Sequence, residues 1–169
     1  MDVETAIRSR RTHKQFGTDP VDEGTLRELL DLARHAPNHH LTQPWRFRVL
    51  GPEMRAQLDQ AVGEVDALKL RRAPTLVLAT ALLGGDAHTD EEDLHATACA
   101  VYAVLLGATA RGLASYWRTP KVFEEPQVRA LLGLDDAERV VSLIHLGSPV
   151  SDPPVKERAP LADVVLFLD

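Results

Sequence analysis

The sequence holds a single cysteine, Cys99, among 169 residues. No internal disulfide can form, which is compatible with a reducing compartment. There is no excess of positive charge either. Nineteen Lys and Arg against 25 Asp and Glu give a formal charge of -6 and a pI near 5.6. That balance argues against nucleic acid or an anionic membrane surface as the main partner. No uninterrupted apolar stretch is long enough for a bilayer. The opening Met-Asp-Val-Glu-Thr lacks a basic region followed by an apolar run, so no signal peptide is expected and a soluble, cytoplasmic protein is predicted. Neither a Gly-x-Ser-x-Gly turn nor a glycine-rich dinucleotide turn after a strand is present, which leaves a nucleophile-based hydrolase without support. With no internal repeat and no linker, residues 1–169 read as one domain, and a hydrophobic content of 44% supplies a core.

What is present is organised around Ser9-Arg10-Arg11-Thr12-His13-Lys14-Gln15-Phe16, just after a short predicted helix from Val3 to Ser9. Arg10 and Arg11 can grip a phosphate with planar forks. Thr12 adds a hydroxyl and Lys14 a point charge, and Phe16 returns the chain to the core. A run of charges reads by default as a solvated basic patch. On an acidic chain, a local cationic cluster also looks like a pocket for a small anion.

Asp22 is a good cap for a helix with an apolar face of Leu26, Leu29, Leu30, Ala33 and Ala36, which Pro37 stops. Trp45, Phe47 and Val49 alternate with polar residues and predict a strand with one buried face. Gly51-Pro52 opens one further helix, with a weak stripe of Leu58, Val62, Val65 and Leu68. Pro74–Ala81 reads as a central strand. The longest helix is predicted from Asp90 to Arg111. Its face of Leu94, Ala98, Val101, Val104, Leu105 and Ala108 is joined by an apolar remainder of Ala96, Cys99, Ala100, Ala103 and Leu106. A helix apolar nearly all round in so short a chain suggests packing against a second copy, the alternative being a buried monomer core helix. Strands at Leu113–Trp117 and Arg139–Leu146 flank a short helix that starts at Pro126. After Gly147, four prolines with Lys156 and Arg158 make an extended tail, and Val164–Phe167 ends it as an apolar strand that needs a surface to land on.

Other chemistry is thin. His35 and His39 stand four apart, but Pro37 lies between them and no carboxylate or second cysteine completes a site, so no metal is expected. Cys99 reads as a small core residue, and His95 and His145 read as structural. What remains is a set of anion-gripping cations at both ends of the chain, a polar loop from His35 to Gln43, and a flat turn at Trp117-Arg118-Thr119. Together they suit a ligand with a phosphate, a polar chain and a planar ring.

The whole order resembles the nitroreductase family of flavoproteins, closest to its short, minimal bacterial branch. Arg10, Arg11, Thr12, Lys14 and Phe16 stand at the places of an Arg-Arg-Ser-x-Arg-x-Phe segment. Ala36-Pro37 and Gln43-Pro44-Trp45-Arg46-Phe47 match the helix end and the strand that follows. Trp117-Arg118-Thr119 looks like the branch's Trp-Arg-Ser turn, and Lys156, Arg158, Pro160 and Leu161 resemble the closing Lys-x-Arg-x-Pro-Leu stretch.

The resemblance implies an α+β fold, with a central, mainly antiparallel sheet flanked by helices. It implies an intertwined homodimer in which the tail, residues 148–169, wraps the partner, and FMN at the interface. By it, Arg10, Arg11, Thr12 and Lys14 hold the phosphate, ribityl chain and pyrimidine edge, and Lys156 and Arg158 finish the phosphate site. His35, Asn38 and His39 reach the flavin from the other subunit, and Trp117, Arg118 and Thr119 line the ring. The implied activity is ping-pong reduction of nitroaromatic or quinone-like acceptors by NADH or NADPH, with hydride passing through FMN N5 and no side chain nominated as catalytic. Reductive dehalogenation, flavin cleavage and a non-enzymatic flavin-binding dimer share every motif. Thr12 keeps the hydroxyl of the usual Ser, while Lys14 keeps the charge of Arg but not its fork. The segment 51–73 is short for the family and predicts an open, shallow substrate face.

Overall fold

Strand β2 (Thr75–Leu82) is buried over its first seven residues, and β4 (Glu138–Gly147) is nearly so. Runs apolar on both sides must lie in the middle of a sheet, and they do. In the computed structural model, which describes residues 1–168, the sheet order is β1-β2-β4-β3, with β1 (Trp45–Val49) and β3 (Ala114–Arg118) at the edges and every pairing antiparallel. Asp169, the last residue of the tail, lies outside the described residues.

Helices α2 (Glu23–Ala33) and α5 (Ala87–Ala110) cover one face over a core that includes Leu29, Trp45, Val77, Val101, Val104 and Ile144. On the other face α3 (Pro52–Ala61), α4 (Glu64–Leu70) and α6 (Pro126–Leu132) enclose Leu58, Leu76, Leu78, Phe123 and Leu143. A register shift between Ala79 and Thr80 gives β4 one extra residue, Val141. Side chains of a regular strand alternate between faces, so the extra residue resets the alternation. Val140 and Leu143, three apart, therefore share the second core while Val141 packs on the first.

Local signals carry through. The Asp2 carboxylate caps α1 (Val3–Ser9) by accepting from Thr5 N, and Asp22 caps α2 by accepting from Thr25 N. Several expectations are corrected. The sequence predicts one helix after Pro52, but Gly63, with φ +72°, breaks the segment into α3 and α4; Val65 and Leu68 are exposed rather than part of a core stripe. Val49 is exposed because β1 is an edge strand and the core there is closed by Leu50. Helix α5 begins at Ala87, capped by Asp86, while the Asp90 carboxylate accepts from Gly84 N and Gly85 N. By length and composition α5 is apolar enough to cross a membrane, contrary to the expectation of no such stretch. Half of that stretch is buried in this fold, against the sheet and α2. Cys99 is exposed, not in the core, because the buried side of α5 runs through Ala96, Ala100, Val104 and Ala108. The end of the tail is a 3-10 turn at Leu161–Asp163 followed by irregular backbone, not a strand, and Val164, Leu166 and Phe167 are exposed.

One close approach is easily tested. Gly147 closes β4 against Pro74, where an added Cβ would lie 2.9 Å from Pro74 Cγ and Cδ. Overpacking a rigid ring contact costs about 1–3 kcal/mol, so Gly147→Ala is expected to lower stability by that amount in urea unfolding; an unchanged midpoint would refute the packing argument.

Candidate functional site

The cationic stretch leaves α1 and runs along the edge strand β3, where His13 N donates to Ser115 O at 3.0 Å. It then meets the chain emerging from β4, with Gly17 N donating to Ser148 O at 3.0 Å and Phe16 bridged to Pro149. Those two backbone ties bring the start of the chain against the start of the tail. Between them lies a cleft of about 890 Å³, walled on one side by residues 7–8 and 10–15 and on the other by Ser151, Pro153, Pro154, Val155, Lys156 and Arg158.

Arg8, Arg10, Arg11, Lys14, Lys156 and Arg158 all line this cleft. Among the described residues, no carboxylate pairs with any of the six. Arg11 is partly occupied, since its Nη1 donates to the carbonyls of Arg8 and Arg10. An acidic chain with six cations converging on one cleft, none neutralised by a carboxylate among the described residues, presents a site for an anion. Arg8, His13 and Gln15 were not singled out in the sequence. Arg8 ends α1 one turn before the stretch, so the helix end could have flagged it. His13 stands between two selected residues but has no signal of its own. Its Nδ1 is buried without a hydrogen-bond partner among the described residues.

The other predicted residues sit elsewhere in the chain. Trp117 packs against the α5-side core, and Thr119 Oγ1 donates to Val141 O at 3.3 Å. Arg118 turns to α4, where its Nη2 donates to Asp66 Oδ1 at 2.9 Å, and its Nη1 is buried without a partner among the described residues. Lys69 bonds the same oxygen at 3.0 Å. Lys69 and then Arg118 hold the Asp66 carboxyl below its ordinary value. His35 lines a second, apolar cleft of about 490 Å³ between α2 and α5, with Leu32, Pro37, Cys99, Tyr102 and Leu106. Asn38 Oδ1 accepts from Gln43 N at 2.9 Å. His39 Nδ1 lies 2.9 Å from Glu92 Oε2, and this bond holds the Glu92 carboxyl below its ordinary value. Within one chain, then, the basic cleft gathers Arg10, Arg11, Thr12, Lys14, Lys156 and Arg158. His35, Asn38 and His39 are on the loop after α2.

His145 lies under this region. It is fully buried, stacks with Phe16, lies tilted against Tyr116, and has Nε2 3.2 Å from Lys69 O. Burial pushes its pKa down to about 4.

Comparison with known proteins places this arrangement. The profile described as Nitroreductase family matches residues 7–65 and 63–148. YfhC of Bacillus subtilis, a candidate NAD(P)H nitroreductase, is 28% identical over 173 residues, covering 93% of this chain and 89% of its own. An NADH dehydrogenase of Thermus thermophilus is 31% identical over 200 residues, covering 99% and 96%. A nitroreductase-like family protein from Bacillus cereus aligns in structure with a TM-score of 0.92 at 24% identity, over 100% of this chain and 97% of that one. A candidate nitroreductase from Desulfovibrio desulfuricans, solved in complex with FMN, aligns at 0.80 with 25% identity over 99% and 96%. The profile match begins within α1 and ends just beyond β4, spanning the cationic stretch and the whole antiparallel sheet, and the chain belongs to the nitroreductase family.

Proposed function

We propose that this chain is an FMN-dependent NAD(P)H oxidoreductase that works as a homodimer and reduces nitroaromatic or quinone-like acceptors. The observation that carries the reading is the cleft into which both ends of an acidic chain direct cations left unpaired by any carboxylate among the described residues. Its volume falls within the range of cofactor pockets. Its donor set suits a phosphate with a hydroxylated chain: planar forks at Arg10 and Arg158, point charges at Lys14 and Lys156, and a hydroxyl at Thr12. His13 Nδ1, in the cleft wall, and Arg118 Nη1, at the end of β3, have no partner among the described residues; the first is a further donor or acceptor and the second a further donor.

Bound FMN would supply the redox chemistry, taking hydride from NAD(P)H and passing electrons to the acceptor. The chain's residues supply binding and orientation. Arg10, Arg11, Lys156 and Arg158 hold the phosphate, and Thr12 the ribityl chain. Lys14 sets positive charge toward the pyrimidine edge. Trp117, Arg118 and Thr119, two to four residues beyond the β3 carbonyl that binds His13 N, flank the ring. His35, Asn38 and His39 come from the second copy. Two apolar surfaces support that second copy. Tyr102 and Leu32 stand exposed on the α2–α5 face beside the half-buried Leu106, and the tail exposes Leu161, Val164, Leu166 and Phe167. Surfaces of this kind mark contact sites, and the tail wrapping the partner would cover both.

The test is direct. The purified protein should be yellow, dimeric and loaded with about one FMN per chain, and anaerobic NADH or NADPH should bleach it. A colourless monomer that ignores added FMN would end the reading. A yellow dimer that neither donor bleaches would replace it with a non-enzymatic flavin carrier.

A further inference from the structure

The loop between α2 and β1 is longer than most connections, and it is strained. His40, Leu41 and Gln43 have φ of 52°, 54° and 46°. None is glycine, and left-handed backbone is unfavourable for any residue with a Cβ. A connection with slack in its length has no topological need for such a conformation. Strain of this kind persists where the surroundings over-determine it, and it gathers at functional sites.

The surroundings here are specific. Asn38 closes the loop on itself, its Oδ1 accepting from Gln43 N at 2.9 Å and its Nδ2 donating to Ala36 O at 3.1 Å. Two adjacent residues of α5 then fasten it from outside. Thr42 Oγ1 donates to Asp93 Oδ1 at 2.6 Å, and His39 Nδ1 donates to Glu92 Oε2 at 2.9 Å. Asp93 is the unusual member. It is 5% exposed, and no cation pairs with it among the described residues. A buried carboxylate without a counter-charge is costly, yet this one sits on the main core helix, aimed at a loop hydroxyl 51 positions away in sequence.

We propose that Asp93 is a positioning residue: through Thr42 it latches the strained loop 38–43 and so fixes Asn38 and His39 where they meet the cofactor of the second copy. The inference deepens the FMN reading and rests on it. Asp93 touches no ligand. It acts by removing the loop's freedom to relax, so that binding does not have to order it.

The experiment is an FMN titration of the full chain, stripped of flavin, followed by flavin fluorescence and visible spectrum. Thr42→Val keeps the shape and removes the donor. It should weaken FMN binding about tenfold or more, the scale of one charge-assisted hydrogen bond, and shift the bound-flavin spectrum. Thr42→Ser keeps the hydroxyl and should bind within about twofold of the parent protein. A merely structural role would lower the melting temperature without moving the spectrum. Wild-type affinity and spectrum in Thr42→Val, or no recovery in Thr42→Ser, overturns the proposal. Should Thr42→Val fail to fold, Asp93→Asn, which keeps the shape and the acceptor oxygen but not the charge, should still bind FMN several-fold more weakly, and unchanged affinity there is equally fatal. Parent protein that does not bind FMN at all sinks the functional reading beneath; parent protein that binds beside an unaffected Thr42→Val sinks this inference alone.

Discussion

Arg10→Ala and Arg158→Ala are each expected to weaken FMN binding by about 1.5–3 kcal/mol, a loss of roughly ten- to 150-fold, the range of a hydrogen bond to a charged group. The two arginines come from opposite ends of the chain and line one cleft without carboxylate partners among the described residues. Among the described residues neither is held by another side chain, so both guanidinium groups are available to a ligand. They converge on one anion, so their effects should not simply add. Riboflavin, which lacks the phosphate, supplies the control. Its affinity should change little in either variant, because the lost contacts are to the phosphate. Isothermal titration of both ligands into both variants decides the matter. Equal losses for FMN and riboflavin would mean that the arginines shape the cleft rather than hold the phosphate. Full FMN affinity in both variants would remove the cleft from the functional argument altogether.

The fold was legible where a local rule had no competitor. The strand at Trp45–Val49, with Trp45 and Phe47 turned inward, the two-sided apolar run at Pro74–Ala81 and the capping aspartate Asp22 each depend on neighbours a few residues away. The failures share a different cause. Val65 and Leu68 fit a helical stripe, but whether a stripe is buried depends on what the next element covers, and Gly63 redirected α4. The apolar run of α5 puts Cys99 in the core by composition alone, but composition cannot say which side meets the sheet. The extra residue Val141 in β4 leaves no trace in the sequence, since a bulge is a relation between two strands. For the candidate site, the cationic stretch and the tail could each be marked, and their resemblance to a family motif paired them. The backbone ties at Ser115 and Ser148 that bring them together are long-range, as is the latch from Asp93 to Thr42. Arg118 shows the limit best. The sequence marks it in a Trp-Arg-Thr turn, but Arg118 closes strand β3, and its ion pair with Asp66 depends on where α4 lands.

Glu138→Ala is expected to lower stability by about 3 kcal/mol at neutral pH, because a buried ion pair that loses one partner leaves the other uncompensated. The carboxylate is almost fully buried at the start of β4 and receives both arms of Arg48, Nη2 to Oε1 at 2.6 Å and Nη1 to Oε2 at 2.7 Å. Thr80 Oγ1 donates to the same group, and Asp135 N adds a weaker bond at 3.3 Å. Arg48 above all holds the Glu138 carboxyl down to about 2, against an ordinary value of 4.5. A depression of that size amounts to about 3 kcal/mol by linkage, in line with the mutational figure. The contribution is complete above about pH 4.5, where the unfolded carboxyl is also ionised, and it drains away as pH falls toward 2. His145 acts in a higher window. Its neutral form is favoured by burial, so the unfolded chain takes up a proton first, and stability falls as pH drops from about 6.5 to about 4. Acid unfolding should therefore proceed in two stretches, each assigned by a variant. His145→Gln should flatten the pH dependence of stability between about 6.5 and 4 whatever its effect at neutral pH, and Glu138→Ala should flatten it below about 4.5. Urea unfolding across this pH range measures both. A Glu138→Ala variant that keeps the parent's slope below pH 4.5 would show that Arg48 and Glu138 are not coupled in the folded state.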